Sequence, residues 1–119
     1  MNFREFLQSL LQPKKVNKFT LYVGLNDKNT RVQEFSIEEA KNIISKEFAE
    51  NEIEGATFLG AEGIYTYKSD NTTEKENSFK IEILFASKKQ IENAVAGIKT
   101  KLNQESVAVV KERIISSLI

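Results

Sequence analysis

At 119 residues the chain has the size of one domain, and 40% hydrophobic with 29% charged residues is the balance of a globular protein, able to bury enough apolar surface to offset chain ordering. Lysine and arginine number 17 and aspartate and glutamate 17, so no net field draws in a polyanion such as DNA or an acidic membrane. Cysteine and histidine are absent, which excludes disulfides, thiolate nucleophiles, Cys- or His-ligated metals and every histidine proton shuttle.

In chain order, Asn2 to Gln12 places Phe3, Phe6, Leu7, Leu10 and Leu11 on one stripe of a helix, with Asn2 and Glu5 as a capping box and Pro13 as the stop. Arg4 and Glu5 ahead of so short an apolar stretch predict neither a leader peptide nor a membrane span, and therefore residence in the cytoplasm. The sequon Asn71-Thr72-Thr73 is then a chance occurrence. Lys14 to Lys18 reads as a basic connector. Phe19, Leu21, Val23 and Leu25 alternate with Thr20, Tyr22 and Gly24 as a strand with one buried face. A turn-rich loop follows from Asn26 to Thr30.

Ser36-Ile37-Glu38-Glu39 opens a second helix, which Ile37, Ala40, Ile43, Ile44 and Phe48 continue and Gly55 closes. Ala56 to Lys68 is β-rich, with Gly60 and Gly63 predicting a bulge. Ser69 to Asn77 reads as a mobile hairpin loop. Phe79, Ile81, Ile83 and Phe85 then mark the clearest strand. Ser87 and Gln90 cap a helix carrying Ile91, Ala94, Val95, Ile98 and Leu102, and Val107 to Val110 begin a last strand that the apolar tail from Arg113 to Ile119 extends or docks elsewhere.

The order β-α-β-β-α-β predicts an α+β, ferredoxin-like domain over residues 18–119, a four-stranded antiparallel sheet with two helices on one face, preceded by the amphipathic helix of residues 1–13. The first and third strands then form the central pair. Their apolar rows lie under the helices, and Thr20, Tyr22, Lys80, Glu82 and Leu84 face the open side, where Tyr65 and Tyr67 can join them. The candidate binding surface is Tyr22, Tyr65, Tyr67, Lys80 and Glu82, with Lys28 and Arg31 in the adjoining loop, since aromatic rings supply contact area and cations neutralise an anionic ligand.

No catalytic residue, metal ligand or cofactor is assigned, and the expectation is a non-enzymatic binding protein. One alternative is a carboxylate-based or magnesium-assisted enzyme using Glu62 and Glu82, the oxygen ligands for a magnesium ion being Asp27 with Asp70 or Glu62. Another is single-stranded RNA binding, disfavoured because the third strand offers no aromatic pair. Gly60-Ala61-Glu62-Gly63 lies within a β region and so is no phosphate loop. The stripe on the first helix favours self-association into a homo-oligomer or packing on its own domain, with no membrane role.

Three blocks, Thr20-Leu21-Tyr22-Val23-Gly24-Leu25-Asn26-Asp27-Lys28, Gly60-Ala61-Glu62-Gly63-Ile64-Tyr65 and Asn103-Gln104-Glu105-Ser106-Val107, resemble those of a small uncharacterised protein family of phages and mobile elements of Gram-positive bacteria. The resemblance runs from Lys18 to the C-terminus. It implies a phage accessory protein at work in the host cytoplasm, acting in counter-defence by covering a host protein or sequestering a small nucleotide. It brings no active site with it.

Overall fold

In the computed structural model, which describes residues 2–11, 14–116 and 118, seven elements follow one another. They are α1 (Phe3–Leu11), β1 (Lys14–Gly24), α2 (Ile37–Glu50), β2 (Thr57–Tyr67), β3 (Thr72–Leu84), α3 (Lys88–Lys101) and β4 (Ala108–Ser116). The strands pair antiparallel in the order β2-β3-β1-β4, the ferredoxin-like arrangement that the alternation predicted, with β1 and β3 central.

Period-two patterning accounts for the core. Phe19, Leu21, Val23, Phe79, Ile81 and Ile83 point from the central strands toward the helices, where they meet Ala40, Ile44 and Phe48 of α2 and Ile91, Ala94 and Ile98 of α3. Both helices start on the capping boxes read from the sequence. Ser36 Oγ accepts the Glu39 N–H at 3.0 Å and Ser87 Oγ the Gln90 N–H at 3.1 Å, while each helix's third residue bonds back to its cap. Between the helices Glu47 is almost fully buried, ion-paired with Lys101, and its carboxylate occupies the place a Cβ on Gly97 would need.

Several local expectations are corrected. Lys14 to Lys18 is strand, because it pairs with Glu112 to Ser116 of β4 in a ribbon that β3 joins only from Lys18 onward. Most of Ser69 to Asn77 is β3, and the hairpin turn is confined to Lys68–Asn71. Gly60 and Gly63 make no bulge: register runs unbroken from Thr57 opposite Glu82 to Tyr67 opposite Thr72. Gly55 does not end α2. Glu52 takes the left-handed conformation there, at φ 58°, and Gln90 Nε2 donates to its carbonyl at 3.0 Å. Phe85 lies past the end of β3 at φ 63° and is 47% exposed instead of packing under the helices.

The tail extends β4 as far as Ser116. On α1, Asn2 and Glu5 form the expected reciprocal bonds, while Phe3 is 75% and Leu7 42% exposed. The stop assigned to Pro13 lies outside the described residues. No helix among the described residues is long and apolar enough to cross a membrane.

Candidate functional site

Register decides which side chains share the uncovered face. Phe58 lies opposite Ile81, on the helix side, so the odd-numbered residues of β2 point the other way, and Tyr65 and Tyr67 join Tyr22 and Lys80 on the open face. Near the end of the sheet that carries the β1–α2 loop, these side chains enclose a cavity of about 450 Å³, within the range of small-molecule sites.

The floor of this cavity is Glu76. It sits on β3 opposite Gly63, and its Oε2 accepts the backbone N–H of Asn26 at 3.2 Å. The carboxylate fits because position 24 carries no side chain: a Cβ there would stand 2.6 Å from the Glu76 carboxyl carbon. Burial pushes the Glu76 pKa up, against the opposing pull of the Asn26 N–H. Tyr67 is itself raised by burial and then by the neighbouring Glu76 charge. The two β2 tyrosines meet edge to face, ring centroids 5.1 Å apart, and Tyr65 Oη donates to Glu105 Oε2 at 2.5 Å. That bond, more than burial, holds the Tyr65 phenol above its usual range. Because β2 and β4 are the two outer strands, this contact reaches from one edge of the sheet to the loop leading into the other.

Three loops are tied together around the cavity. Asn103 O accepts the Lys28 N–H at 2.9 Å, Asn103 Nδ2 donates to Asp27 Oδ2 at 3.0 Å, and Gln104 Nε2 donates to the Asn26 carbonyl at 2.8 Å. The Asn103 bond is the main reason the Asp27 carboxyl lies below its ordinary range. On the other flank, Arg31 lies 4.1 Å over the Tyr67 ring and donates to Asp70 Oδ2 at 2.7 Å and Ser69 Oγ at 2.9 Å in the β2–β3 turn.

Of the surface expected from the sequence, Tyr22, Lys28, Tyr65, Tyr67 and Lys80 line this one cavity. Arg31 stands behind Tyr67, engaged with the hairpin. Glu82 is taken up by Lys18 at 3.5 Å and Lys80 at 3.9 Å and borders a second concavity, about 780 Å³, at the other end of the sheet. That larger space is lined by Glu52, Glu54 and Glu82 with no cation among the described residues that line it, a poor match to an anionic ligand.

The pairing of Glu62 with Glu82 does not occur. Glu62 lies opposite Asn77 and Glu82 opposite Thr57, on contrary faces and roughly 17 Å apart along the strand. Asp27 and Asp70 are each occupied by hydrogen bonds, and among the described residues no group of three acidic side chains forms a cation site. The reading from sequence missed Glu76, Glu105, Gln104, Ser78 and Ser106. One available signal was Gly24, a glycine inside a strong strand pattern, which marks a close approach by some other group.

No family model matches the chain, and no curated protein does. Solved structures share its fold. A phage SAM lyase in complex with S-methyl-5'-thioadenosine superposes with a TM-score of 0.68 at 24% identity, over 86% of this chain and 85% of its own. The CutA protein of Archaeoglobus fulgidus gives 0.57 at 11% over 85% and 87%, and a GlnK–ATP complex of B. subtilis 0.53 at 14% over 84% and 82%. A phage protein therefore shares this ferredoxin-like fold. The expectation of a non-enzyme is overturned, since it inferred the absence of catalysis from the absence of histidine, cysteine and metal ligands, and this fold serves a lyase.

Proposed function

We propose that the open-face cavity binds a sulfonium nucleoside of the S-adenosylmethionine class and that the chain cleaves it as a lyase. The observation that carries this reading is the half-buried Glu76 carboxylate surrounded by Tyr22, Tyr65 and Tyr67, in a fold shared with a lyase bound to the thioether such a cleavage would leave. A purine stacks on aromatic faces, and a sulfonium cation is attracted to the ring quadrupole.

The chemistry fits a site without histidine or cysteine. The substrate's own carboxylate is its nearest nucleophile. When that oxygen attacks Cγ of the amino-acid chain, a C–O bond closes a lactone while the C–S bond breaks, and the electron pair stays on sulfur as neutral S-methyl-5'-thioadenosine. No proton moves, and no protein nucleophile is needed. The protein's task is to fold the chain into the attacking conformer, the kind of positioning that supplies much of an intramolecular rate. Opposite charges are consumed in this step, so a pocket that sheds water assists it. Glu76 suits the substrate's ammonium better than its sulfonium, because a carboxylate against the sulfonium would oppose the loss of that charge. Lys80 at the rim is placed to orient the substrate carboxylate.

For a protein of a phage or mobile element of Gram-positive bacteria, removing the host's methyl donor would serve counter-defence. The exposed Phe3 and Leu7 of α1 support self-association. The decisive experiment incubates the protein with S-adenosylmethionine and follows products by mass spectrometry. Methylthioadenosine and homoserine lactone should accumulate over many turnovers, while S-adenosylhomocysteine, which lacks the sulfonium, should bind without being cleaved. Vinylglycine in place of the lactone would replace the internal attack by base-driven elimination, and unchanged substrate would overturn the proposal.

A further inference from the structure

Arg31 has an unusual backbone for its side chain. Its φ of 62° is left-handed, a conformation that glycine or asparagine adopts at lower cost, and such strain persists where the surrounding structure demands the residue. The side chain shows what is demanded. One guanidinium nitrogen bonds Asp70 and the other Ser69, both in the β2–β3 turn, and the planar group covers the Tyr67 ring. The backbone N–H of Arg31 meanwhile bonds Asp27 O at 2.8 Å, inside the loop that Asn103 and Gln104 fasten to the far side of the cavity.

We propose that Arg31 is a positioning residue for the cavity's aromatic wall, clamping the tip of the β2–β3 hairpin to the β1–α2 loop and holding Tyr67 against Tyr65, and that it makes no direct contact with ligand. The identity of the ligand rests on the reading above; the clamp does not. Tyr67 is 6% exposed, and one of its flanks is the guanidinium plane, so loss of that plane frees the ring and, through the edge-to-face contact, Tyr65. The role requires a fork and a plane together. A lysine supplies neither, although it keeps the charge.

The test uses Arg31→Asn, which tolerates the left-handed backbone, and Arg31→Lys, each alone and combined with Tyr67→Ala, with S-methyl-5'-thioadenosine as the probe. Both single variants should weaken binding about tenfold, lysine failing to rescue, and neither should add to the loss already caused by Tyr67→Ala. The Tyr67 ring resonances of the free protein, followed with ¹³C-labelled tyrosine, should shift in both. Wild-type binding by Arg31→Lys, or losses that add in the double variants, would show a direct ionic contact with ligand and overturn the clamp. Should the probe fail to bind the unaltered protein, the lyase reading falls, and the ring resonances decide Arg31 alone: a shift sustains the clamp and unaltered Tyr67 signals remove it.

Discussion

Replacing Gly24 by alanine should separate the cavity's function from the fold that carries it. Its φ is not in the left-handed region, so alanine fits the backbone, and in a strand interior it gains about 0.5–1 kcal/mol over glycine. The added Cβ, however, would lie 2.6 Å from the Glu76 carboxyl carbon, and that side chain must swing out, giving up the Asn26 N–H. A hydrogen bond to a charged group contributes about 1.5–3 kcal/mol, part of which water at the cavity mouth restores. Swinging the carboxylate into water also relieves the burial that raises its pKa, so the net change in stability should be small, a shift in melting temperature within about 4 °C either way. Binding loses the whole charged contact, and 1.5–3 kcal/mol is about a 10- to 150-fold rise in Kd. The chain contains three tyrosines and no tryptophan, and all three tyrosines line the cavity, so their emission reports, without a label, the binding of S-adenosylhomocysteine, which keeps the substrate's ammonium and is not cleaved. Glu76→Gln, which keeps the shape and removes the charge, should match the alanine variant in affinity. An alanine variant that binds as tightly as the parent would refute the assigned role of the Glu76 carboxylate. Outright unfolding would show instead that the bare backbone at position 24 serves the sheet.

Two further outcomes follow from the electrostatics. Because the folded state raises the Glu76 pKa above its ordinary 4.5, any cost of that burial is absent below the ordinary range, where folded and unfolded chains are both protonated, and grows as pH rises through the raised value. Stability relative to Glu76→Gln should therefore decline upward from about pH 4.5, in urea melts, while affinity for a cationic ligand rises over the same window and stays flat in the variant. On the opposite face of the sheet, Lys101→Met strands the buried Glu47 carboxylate. The expected result is a lower urea midpoint, a smaller drop than a fully enclosed pair would show because Lys101 keeps much of its hydration, with methylthioadenosine affinity unchanged.

The architecture was legible wherever one side of an element meets the core. Leu21, Val23, Ile81 and Ile83 impose a two-residue period, and Ser36 and Ser87 announce their helices by capping chemistry that is local in sequence. Legibility failed where neither face is buried. Lys14 to Asn17 pair only with the outer strand β4, and Thr72 to Asn77 pair with the outer strand β2, so in both stretches strand structure carries little apolar alternation. Glu76 was hidden in the second of these. The same parity placed Tyr22 and Lys80 correctly, whereas Gln104 and Glu105 reach the cavity through contacts spanning 78 and 40 residues, for which no local pattern exists. Arg31 was identified by charge as a ligand contact, but its geometry is directed at the hairpin.

The unbroken pairing of β2 with β3 makes the outer strand intolerant of odd-length changes. Deleting a single residue between Thr57 and Tyr65 would invert every side chain beyond it, sending Tyr65 where Ile64 now stands and Thr66 where Tyr65 does, and turning the tyrosines toward the helices. Removing two would restore the alternation and shift the tyrosines along the strand by one pleat. Natural variation in the length of this strand should therefore occur in steps of two, and a chain altered by one residue would have to recover its wall of rings from a different set of positions.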